Sequence, residues 1–252
     1  MTRPIPPDDR LDPAMLLGAY AVGVFPMADA RDATGIYWVE PRRRAILPLD
    51  AFHLGRSLRR TLTADRFRVT ADQAFPEVIA LCAEAAADRP DTWINGAIED
   101  VFLALHDQGH AHSVECWDGA DGSWRLVGGL YGLALGRAFF GESMVSRATD
   151  ASKVALAWLV ARLRVGGFTL LDCQFQTEHL RTLGAVEIDR ADYLSALSVA
   201  LEGVFTGGAS AAAPGDFFAL DRAAPAPEPA LSTAVSGPVA GKDIAQLLVH
   251  TS

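Results

Sequence analysis

The order of secondary structure predicted between Ala111 and Gln174 is the feature that most constrains the fold of this chain. The segments AHSVECW, WRLVGGLYGLALG and AFFGESM have the apolar and β-branched character of consecutive strands. The helical segment ASKVALAWLVARLRV follows, with Asp150 as its predicted N-cap and Gly166 at its end. FTLLDCQ then has the character of a short buried strand. A helix that crosses between strands of one sheet predicts the α+β class.

Composition divides the chain into three parts. Residues 1–44 are short and rich in turns, which predicts a small N-terminal domain, and residues 45–205 carry most of the periodic structure. Residues 206–252 are rich in Ala, Pro, Gly and Ser, and we expect them to form a flexible, largely disordered tail. Within it we expect one aromatic anchor at Phe217 and Phe218 and a loose terminal helix from Asp243 to His250. Because such a tail buries little apolar surface, truncation after Arg222 is expected to leave the fold nearly intact.

Length and composition argue against several classes of protein. The chain has 252 residues, half of them hydrophobic, which is enough for a sizeable core. Its apolar runs are shorter than the roughly 20 residues of a membrane-spanning helix, and MTRPIPPDDRLDP lacks the order of a secretory signal. We therefore expect a cytoplasmic protein with no membrane partner. Three cysteines without a CxxC pair predict neither a disulfide framework nor a zinc site, so no metal is expected.

Positive charge is concentrated in one part of this acidic chain. Residues 42–68 contain eight arginines and two aspartates, a charge of +6, whereas the whole chain carries −9. The sequence HLGRSLRR places Arg56, Arg59 and Arg60 on one face of a predicted helix. A basic cluster in an acidic protein is typical of a binding site for a polyanion. The alternative is an arginine face that contacts only solvent.

Two glycine-containing motifs suggest other enzyme classes. GESMV, residues 141–145, is close to the GxSxG motif of serine hydrolases, and Ser143, Asp172 and His179 follow the order of a catalytic triad. Val145 replaces the glycine that the sharp turn needs, so a serine hydrolase is an alternative with weak support. The glycines of VGGLYGLALG lack the pattern of a phosphate-binding loop and predict a bulge or a close backbone approach within a strand.

The stretch LLDCQFQTEHL, residues 170–180, places polar side chains at the end of a buried strand. Asp172 follows two leucines, so its carboxyl group is expected to be partly desolvated, which favours the protonated form. Gln174 lies two positions on and points to the same side of an extended strand. The pair could hold and deprotonate an amine. The alternative is that Asp172 caps a turn and Gln174 satisfies backbone groups.

These motifs occur together in one protein family. AYAVGVFPM, YWVEPRRRAILPL, FFGESMVSRATDASKVAL and LLDCQFQTEHLRTLGAVEI give the chain a strong resemblance to the bacterial leucyl/phenylalanyl-tRNA–protein transferases. The resemblance implies transfer of Leu or Phe, with Met as a further donor, from aminoacyl-tRNA to an N-terminal Arg or Lys, which marks the acceptor for degradation. It implies a small N-terminal domain joined to an acetyltransferase-like (GNAT-like) domain, with no metal, acetyl-CoA or other cofactor. We expect a monomer.

The resemblance also implies roles for individual residues. Asp172 and Gln174 match the pair proposed to handle the proton of the acceptor amine, and Glu142 matches an acidic residue near the aminoacyl end. The arginine cluster matches the region that holds the tRNA acceptor stem. The residues that match the apolar pocket for the donor side chain are Tyr20, Trp38, Trp93, Phe139 and Met144. Met27 stands where many relatives have tryptophan, which leaves the preference between Leu and Phe open. An acyl-CoA transferase of the same fold is a third alternative.

Overall fold

The computed structural model describes residues 11–84, 92–120, 122–204, 213–223 and 239–249. Helices and strands mix along the chain, which confirms the predicted α+β class. The strands are β1 (Phe25–Met27), β2 (Tyr37–Val39), β3 (Arg43–Ile46), β4 (Arg68–Ala71), β5 (Ala111–Asp118), β6 (Arg125–Leu135), β7 (Ala138–Ser146), β8 (Leu170–Asp172) and β9 (Val186–Asp189). The helices are α1 (Pro13–Ala21), α2 (Arg56–Thr63), α3 (Phe75–Ala83), α4 (Gly96–Asp107), α5 (Ala151–Val165), α6 (Glu178–Thr182), α7 (Arg190–Ala200), α8 (Ala219–Ala223) and α9 (Gly241–Val249). In these described parts no helix is long and apolar enough to span a bilayer.

The main sheet has the strand order β4-β5-β6-β7-β8-β3-β9. Strands β7 and β8 are parallel, joined by the crossing helix α5, and the other neighbours are antiparallel. The parallel ladder pairs Ala138 with Leu170 and Phe140 with Asp172, where β8 ends. Strand β7 continues to Ser146 without this partner, while the chain after β8 bonds to β3 through Cys173 N and Ala45 O, 2.9 Å apart. The sheet therefore opens between β7 and β8 from Gly141 onward.

Helices cover both faces of the sheet. Almost every residue of α5 is buried, which explains why its sequence is apolar around most of the helix, and α2 and α9 pack beside it in the same core. The other face packs against α1, α3, α4 and α7. Asp150 stands at the N-cap of α5, as expected, but it has a φ of 68° and its side chain pairs with Lys153 instead of capping the helix.

The N-terminal elements are continuous with this architecture. In α1, the side chain of Asp12 accepts a hydrogen bond from the backbone of Met15 at 2.9 Å, as an N-cap does. Strands β1 and β2 form a separate antiparallel pair. Leu16 and Tyr20 of α1 belong to the same core as α3 and α4. Strand β3 crosses the predicted boundary at residue 44, because Arg43 and Arg44 already pair with β9.

The glycine-rich strand β6 shows the close approach that its sequence predicts. A Cβ atom at Gly132 would lie 2.3 Å from the carbonyl oxygen of Phe140 on β7. The pairing with β7 also shifts here, since Gly132 faces Gly141 whereas Tyr131 faces Ser143. Glu142 is thus the extra residue of a β-bulge, a feature that often occurs beside functional sites.

The described parts of the C-terminal segment are packed, which differs from the expectation of a largely disordered tail. Arg162 of α5 forms a bidentate ion pair with Asp221 at 2.6 and 2.7 Å, and Phe217 stacks on His112. In α9, the side chains of Ile244 and Leu248 are buried against α2 and α5. These apolar positions recur at helical spacing and cover the core, which average composition does not reveal. Residues 205–212, 224–238 and 250–252 lie outside the described residues.

Candidate active site

A cavity of about 540 Å³ lies where β7 and β8 separate. One side is formed by Gly141, Glu142, Ser143 and Met144 of β7, and the other by the chain that follows β8. The wall is mostly apolar, so the cavity suits an uncharged, apolar group. Besides Met27, Trp93 and Met144, the large apolar residues of the lining are Phe25, Leu130, Tyr131, Leu156, Leu159, Leu171, Phe175 and Leu180.

A tight turn after β8 sets the position of Gln174. The amide of Phe175 donates to the carbonyl oxygen of Cys173 at 2.7 Å, and Gln174 has a φ of 53°, a left-handed conformation that costs a non-glycine residue about 1–2 kcal/mol. The backbone amide of Gln174 donates to Asp172 Oδ1 at 2.8 Å. Its side-chain Nε2 donates to Glu142 Oε1 at 3.0 Å. Gln174 therefore lies directly beside Glu142, across the opening of the sheet.

Asp172 is fully buried and does not line the cavity. Its carboxylate accepts hydrogen bonds from Arg44 Nε at 2.9 and 3.1 Å, from Arg44 Nη2 at 2.6 Å and from the Tyr193 hydroxyl at 2.7 Å. With the amide of Gln174, these donors occupy both oxygens. The leucines before Asp172 predict its burial but not Arg44, whose guanidinium group contacts both carboxylate oxygens.

Arg44 is the buried cation of the site. Its side chain is 2% exposed, and Nη1 donates to the carbonyl oxygen of Gly23 at 3.1 Å. The guanidinium group lies between the rings of Phe25 and Tyr193, 4.6 and 4.7 Å from their centroids. Burial acts to lower the pKa of Arg44, but the charge and hydrogen bonds of Asp172, together with Tyr193 and Tyr20, outweigh it and the pKa is raised. The arginine and Asp172 thus form a neutral pair that braces the turn.

Glu142 combines a buried environment with an opening to the cavity. It is the bulged residue of β7, is partly exposed and lines the cavity. Burial raises the pKa of its carboxyl group to about 8; the hydroxyl of Tyr20 and the charge of Arg44 act in the opposite direction, and Asp172 adds to the rise. A carboxyl group with such a pKa can exchange a proton near neutral pH.

The expected pocket residues divide into two groups. Trp93 and Met144 line the cavity, together with Met27, whereas Tyr20, Trp38 and Phe139 do not. Phe139 lies where β7 and β8 are still paired, and its ring packs against Phe168 and Phe217. Tyr20 lies behind Glu142, edge-on to Phe140, and Trp38 lies in the β1–β2 pair opposite Pro26. These three residues therefore do not line this cavity, and their role in donor binding stays a prediction.

The predicted hydrolase triad is not assembled. Ser143 and His179 line the cavity, but the hydrogen-bond partners of Asp172 are Arg44, Tyr193 and Gln174 rather than His179. Within the described residues, Nε2 of His179 is buried and has no hydrogen-bond partner. A catalytic histidine needs an acid to orient it, so the geometry argues against a serine hydrolase.

Comparison with known families identifies the family of this chain. The family model for leucyl/phenylalanyl-tRNA protein transferase matches residues 46–198, and the model for the N-terminal domain of the same transferase matches residues 9–42. This chain belongs to that family. The family named from the motifs is confirmed, and the protein is a transferase enzyme.

Individual relatives are similar over most of their length. The leucyl/phenylalanyl-tRNA–protein transferase of Rhizorhabdus wittichii is 59% identical over 254 residues, which cover 96% of this chain and 99% of that protein. The transferase of Zymomonas mobilis is 57% identical over 86% of this chain and 78% of its own. Among solved structures, the crystal structure of FemX covers 69% of this chain and 66% of its own at 11% identity, with a TM-score of 0.46.

The arginines of residues 42–68 fall into two groups in the structure, some paired with acidic residues and some exposed. Arg43 pairs with Asp189, Arg44 is buried with Asp172, and Arg66 pairs with Asp118. Arg56, Arg59 and Arg60 of α2 are exposed and form no ion pair with the described residues, while Leu58 and Leu62 bury the opposite face. The loop before α2 is joined to the end of α6 by His53 N and Leu183 O, 2.9 Å apart. The loop before α2 is therefore bonded to the end of α6, the helix whose residues His179 and Leu180 line the cavity.

Proposed function

We propose that this enzyme transfers Leu or Phe, with Met as a further donor, from aminoacyl-tRNA to the α-amine of an N-terminal Arg or Lys. The new N-terminal residue would mark the acceptor protein for degradation. The observation that carries the proposal is the opening between β7 and β8, where Gln174 and Glu142 meet at an apolar cavity in a chain of this family. From the family resemblance we further propose a cytoplasmic monomer that uses no cofactor.

The cavity supports the donor part of this proposal. Trp93, Met144 and Met27 supply aromatic and flexible apolar contacts for the side chain of the donor. The ester bond between amino acid and tRNA is already activated, so the enzyme mainly positions the two substrates and handles charge. We propose that Leu and Phe enter this cavity with the ester carbonyl towards Gln174.

Asp172 and Gln174 then have different roles. We propose that the side-chain oxygen of Gln174 accepts a hydrogen bond from the acceptor amine, which orients its lone pair towards the ester. Asp172 acts from behind: it anchors Arg44 and contributes no surface to the cavity, but its Oδ1 fixes the backbone of Gln174. Asp172 is in this proposal a positioning residue and an electrostatic partner.

The topology supports the acetyltransferase-like assignment of the catalytic domain. Two parallel strands joined by one helix separate at the cavity. We propose this fold for residues 45–205, with the N-terminal elements as a small domain that shares the core on one face of the sheet.

Arg56, Arg59 and Arg60 are proposed to contact phosphates of the acceptor stem. Replacement of each by alanine is expected to weaken binding of all accepted tRNAs alike and to reduce the salt dependence of log K by about one for each phosphate that is no longer bound. Binding titrations at several salt concentrations measure this slope. The exposed Arg125 on β6 provides a matched control whose removal should leave the slope unchanged. An unchanged slope in all three α2 variants would show that these arginines contact solvent and not phosphates.

Transfer itself is tested with radiolabelled Leu-tRNA and a protein that begins with arginine. We expect labelled protein with the arginine acceptor, and none with the same protein carrying glycine at its N-terminus. A serine hydrolase would instead release free leucine and react with a fluorophosphonate at Ser143. An acyltransferase of the acetyltransferase-like fold would label the acceptor only after addition of acyl-CoA. Either of these outcomes would overturn the proposal.

A further inference from the structure

The acceptor arrives as an α-ammonium group and must lose a proton before its nitrogen can attack the ester. Asp172 is separated from the cavity, and Arg44, Tyr193 and the backbone of Gln174 already occupy its oxygens. The amide of Gln174 accepts hydrogen bonds but does not take up a proton at neutral pH. The carboxyl group of Glu142 does line the cavity, and Gln174 donates a hydrogen bond to it there at 3.0 Å.

The bulge in β7 gives Glu142 its position. Because Gly141 faces Gly132 and Ser143 faces Tyr131, Glu142 stands outside the regular alternation of the strand. On the other side of the opening, the left-handed conformation of Gln174 turns its amide towards this carboxyl. Two local departures from regular backbone thus meet at one point, and such departures concentrate at functional sites.

Several charged or titratable groups face Glu142 from the elements packed around it. They are Tyr20 from α1, Arg44 from β3, Asp172 from β8 and Tyr193 from α7. Tyr131 of β6 interacts with Tyr20 and lines the same cavity. Arg44 is already neutralised by Asp172 at 2.6 Å, so the ionised form of Glu142 has no cation of its own among the described residues. A cationic ammonium group in the cavity would supply that missing partner.

Two other titratable groups of the cavity wall are poorer proton acceptors. Burial raises the pKa of the Cys173 thiol, so the thiol stays neutral near pH 7. Burial and the neighbouring Lys153 lower the pKa of His179, which makes it a weak base towards an α-amine with a pKa of about 8. The raised pKa of Glu142, about 8, matches that of the amine.

We propose that Glu142 is the general base that removes a proton from the α-ammonium group of the acceptor, while Gln174 holds the resulting amine. The amine nitrogen then forms a bond to the ester carbonyl carbon, and the bond between that carbon and the ribose oxygen breaks. The second proton of the attacking nitrogen passes to the ribose oxygen, and Glu142 releases the first proton to solvent. The products are an amide, a tRNA with a free hydroxyl and one proton, so the step balances.

This inference rests on the proposed transfer reaction, and its test includes the wild-type enzyme for that reason. Single-turnover transfer from Leu-tRNA to an arginine acceptor is measured for the wild type, Glu142→Gln and Glu142→Ala, with aminoacyl-tRNA binding measured apart. We expect both variants to bind Leu-tRNA normally and to transfer about 10²- to 10⁴-fold more slowly. Absence of transfer by the wild type would instead refute the proposed transfer reaction. Wild-type rates in both variants would refute only the role of Glu142 as general base.

Chemical rescue separates a base from a group that merely holds the substrate. Added formate can enter the space left in Glu142→Ala and accept the proton, so we expect it to restore part of the transfer rate. Gln174→Ala, which lacks a positioning amide and keeps Glu142, should gain nothing from formate. A slow Glu142→Ala enzyme that formate leaves unchanged would assign Glu142 to positioning and overturn the proposal.

Stability at two pH values tests the proton affinity itself. Because the pKa of Glu142 is raised in the folded enzyme, the folded state holds this proton more tightly than the unfolded state does. Its contribution to stability is therefore present at low pH and is lost as the pH rises towards about 8. Urea unfolding at about pH 6 and about pH 8.5 should show the wild type losing stability relative to Glu142→Gln. An identical pH dependence would show that Glu142 is already ionised and would contradict the proposal.

Discussion

Replacement of Asp172 by asparagine is expected to lower the free energy of unfolding by about 3–5 kcal/mol, because it leaves a buried guanidinium group without its counter-ion. The side chain of Arg44 is 2% exposed, and the neutral amide cannot compensate its charge. The substitution preserves the shape of the side chain, so the loss measures charge rather than packing. Urea denaturation followed by circular dichroism gives the difference.

A double-mutant cycle provides the control for this prediction. Arg44→Met alone should also destabilise the enzyme, whereas Arg44→Met with Asp172→Asn removes both charges and should lose less than the sum of the two single changes. Additive losses, or an Asp172→Asn enzyme within about 1 kcal/mol of the wild type, would contradict the stabilising role of this pair. A fall in transfer by Asp172→Asn is interpretable only at temperatures where the variant is folded.

Truncation of Leu248 to alanine is expected to cost about 2–5 kcal/mol of stability, although the sequence predicts only a loose helix there. The side chain is 4% exposed and belongs to the core that α9 shares with α2 and α5. Deletion of everything after Arg222 should cost at least as much, because it also removes Ile244. Thermal unfolding of the full chain and of each variant measures the effect.

The neighbouring leucine is the matched control for this experiment. Leu247 lies on the same helix but is 36% exposed, so Leu247→Ala should change stability by no more than about 0.5–1 kcal/mol. Equal effects at the two positions would show that α9 does not dock through the face that contains Leu248. A deletion after Arg222 with an unchanged melting temperature would restore the original expectation for the tail.

Local patterns in the sequence predicted the parts of the fold that depend on neighbouring residues. The strands before Asp150, the crossing helix and the short strand ending at Asp172 follow from apolar periodicity and from glycine at the turns. The close approach of β7 to β6 at Gly132 is possible because glycine has no Cβ atom. The motif around Gln174 likewise predicted a polar position at the end of a buried strand.

What the sequence could not predict depends on contacts between distant residues. Arg44 lies 128 positions before Asp172, and no local pattern indicates that the two charges meet. The opening of the sheet excludes Phe139 from the cavity and admits Met144, although both lie on β7, because β8 ends between them. The sequence predicted a loose terminal helix near α9, but not that its apolar face docks against α2 and α5.

Transfer is proposed to take place in the cavity between β7 and β8, beside the turn that contains Gln174. The most direct test is single-turnover transfer of Leu from tRNA to an arginine acceptor by Gln174→Ala, with tRNA binding and unfolding measured in parallel. The exposed Gln108 at the end of α4 supplies the control variant Gln108→Ala. We predict normal tRNA binding, a folded enzyme and a loss of about 10²- to 10³-fold in transfer for Gln174→Ala, with no loss for Gln108→Ala. A folded Gln174→Ala enzyme that transfers at the wild-type rate would contradict this location of the active site.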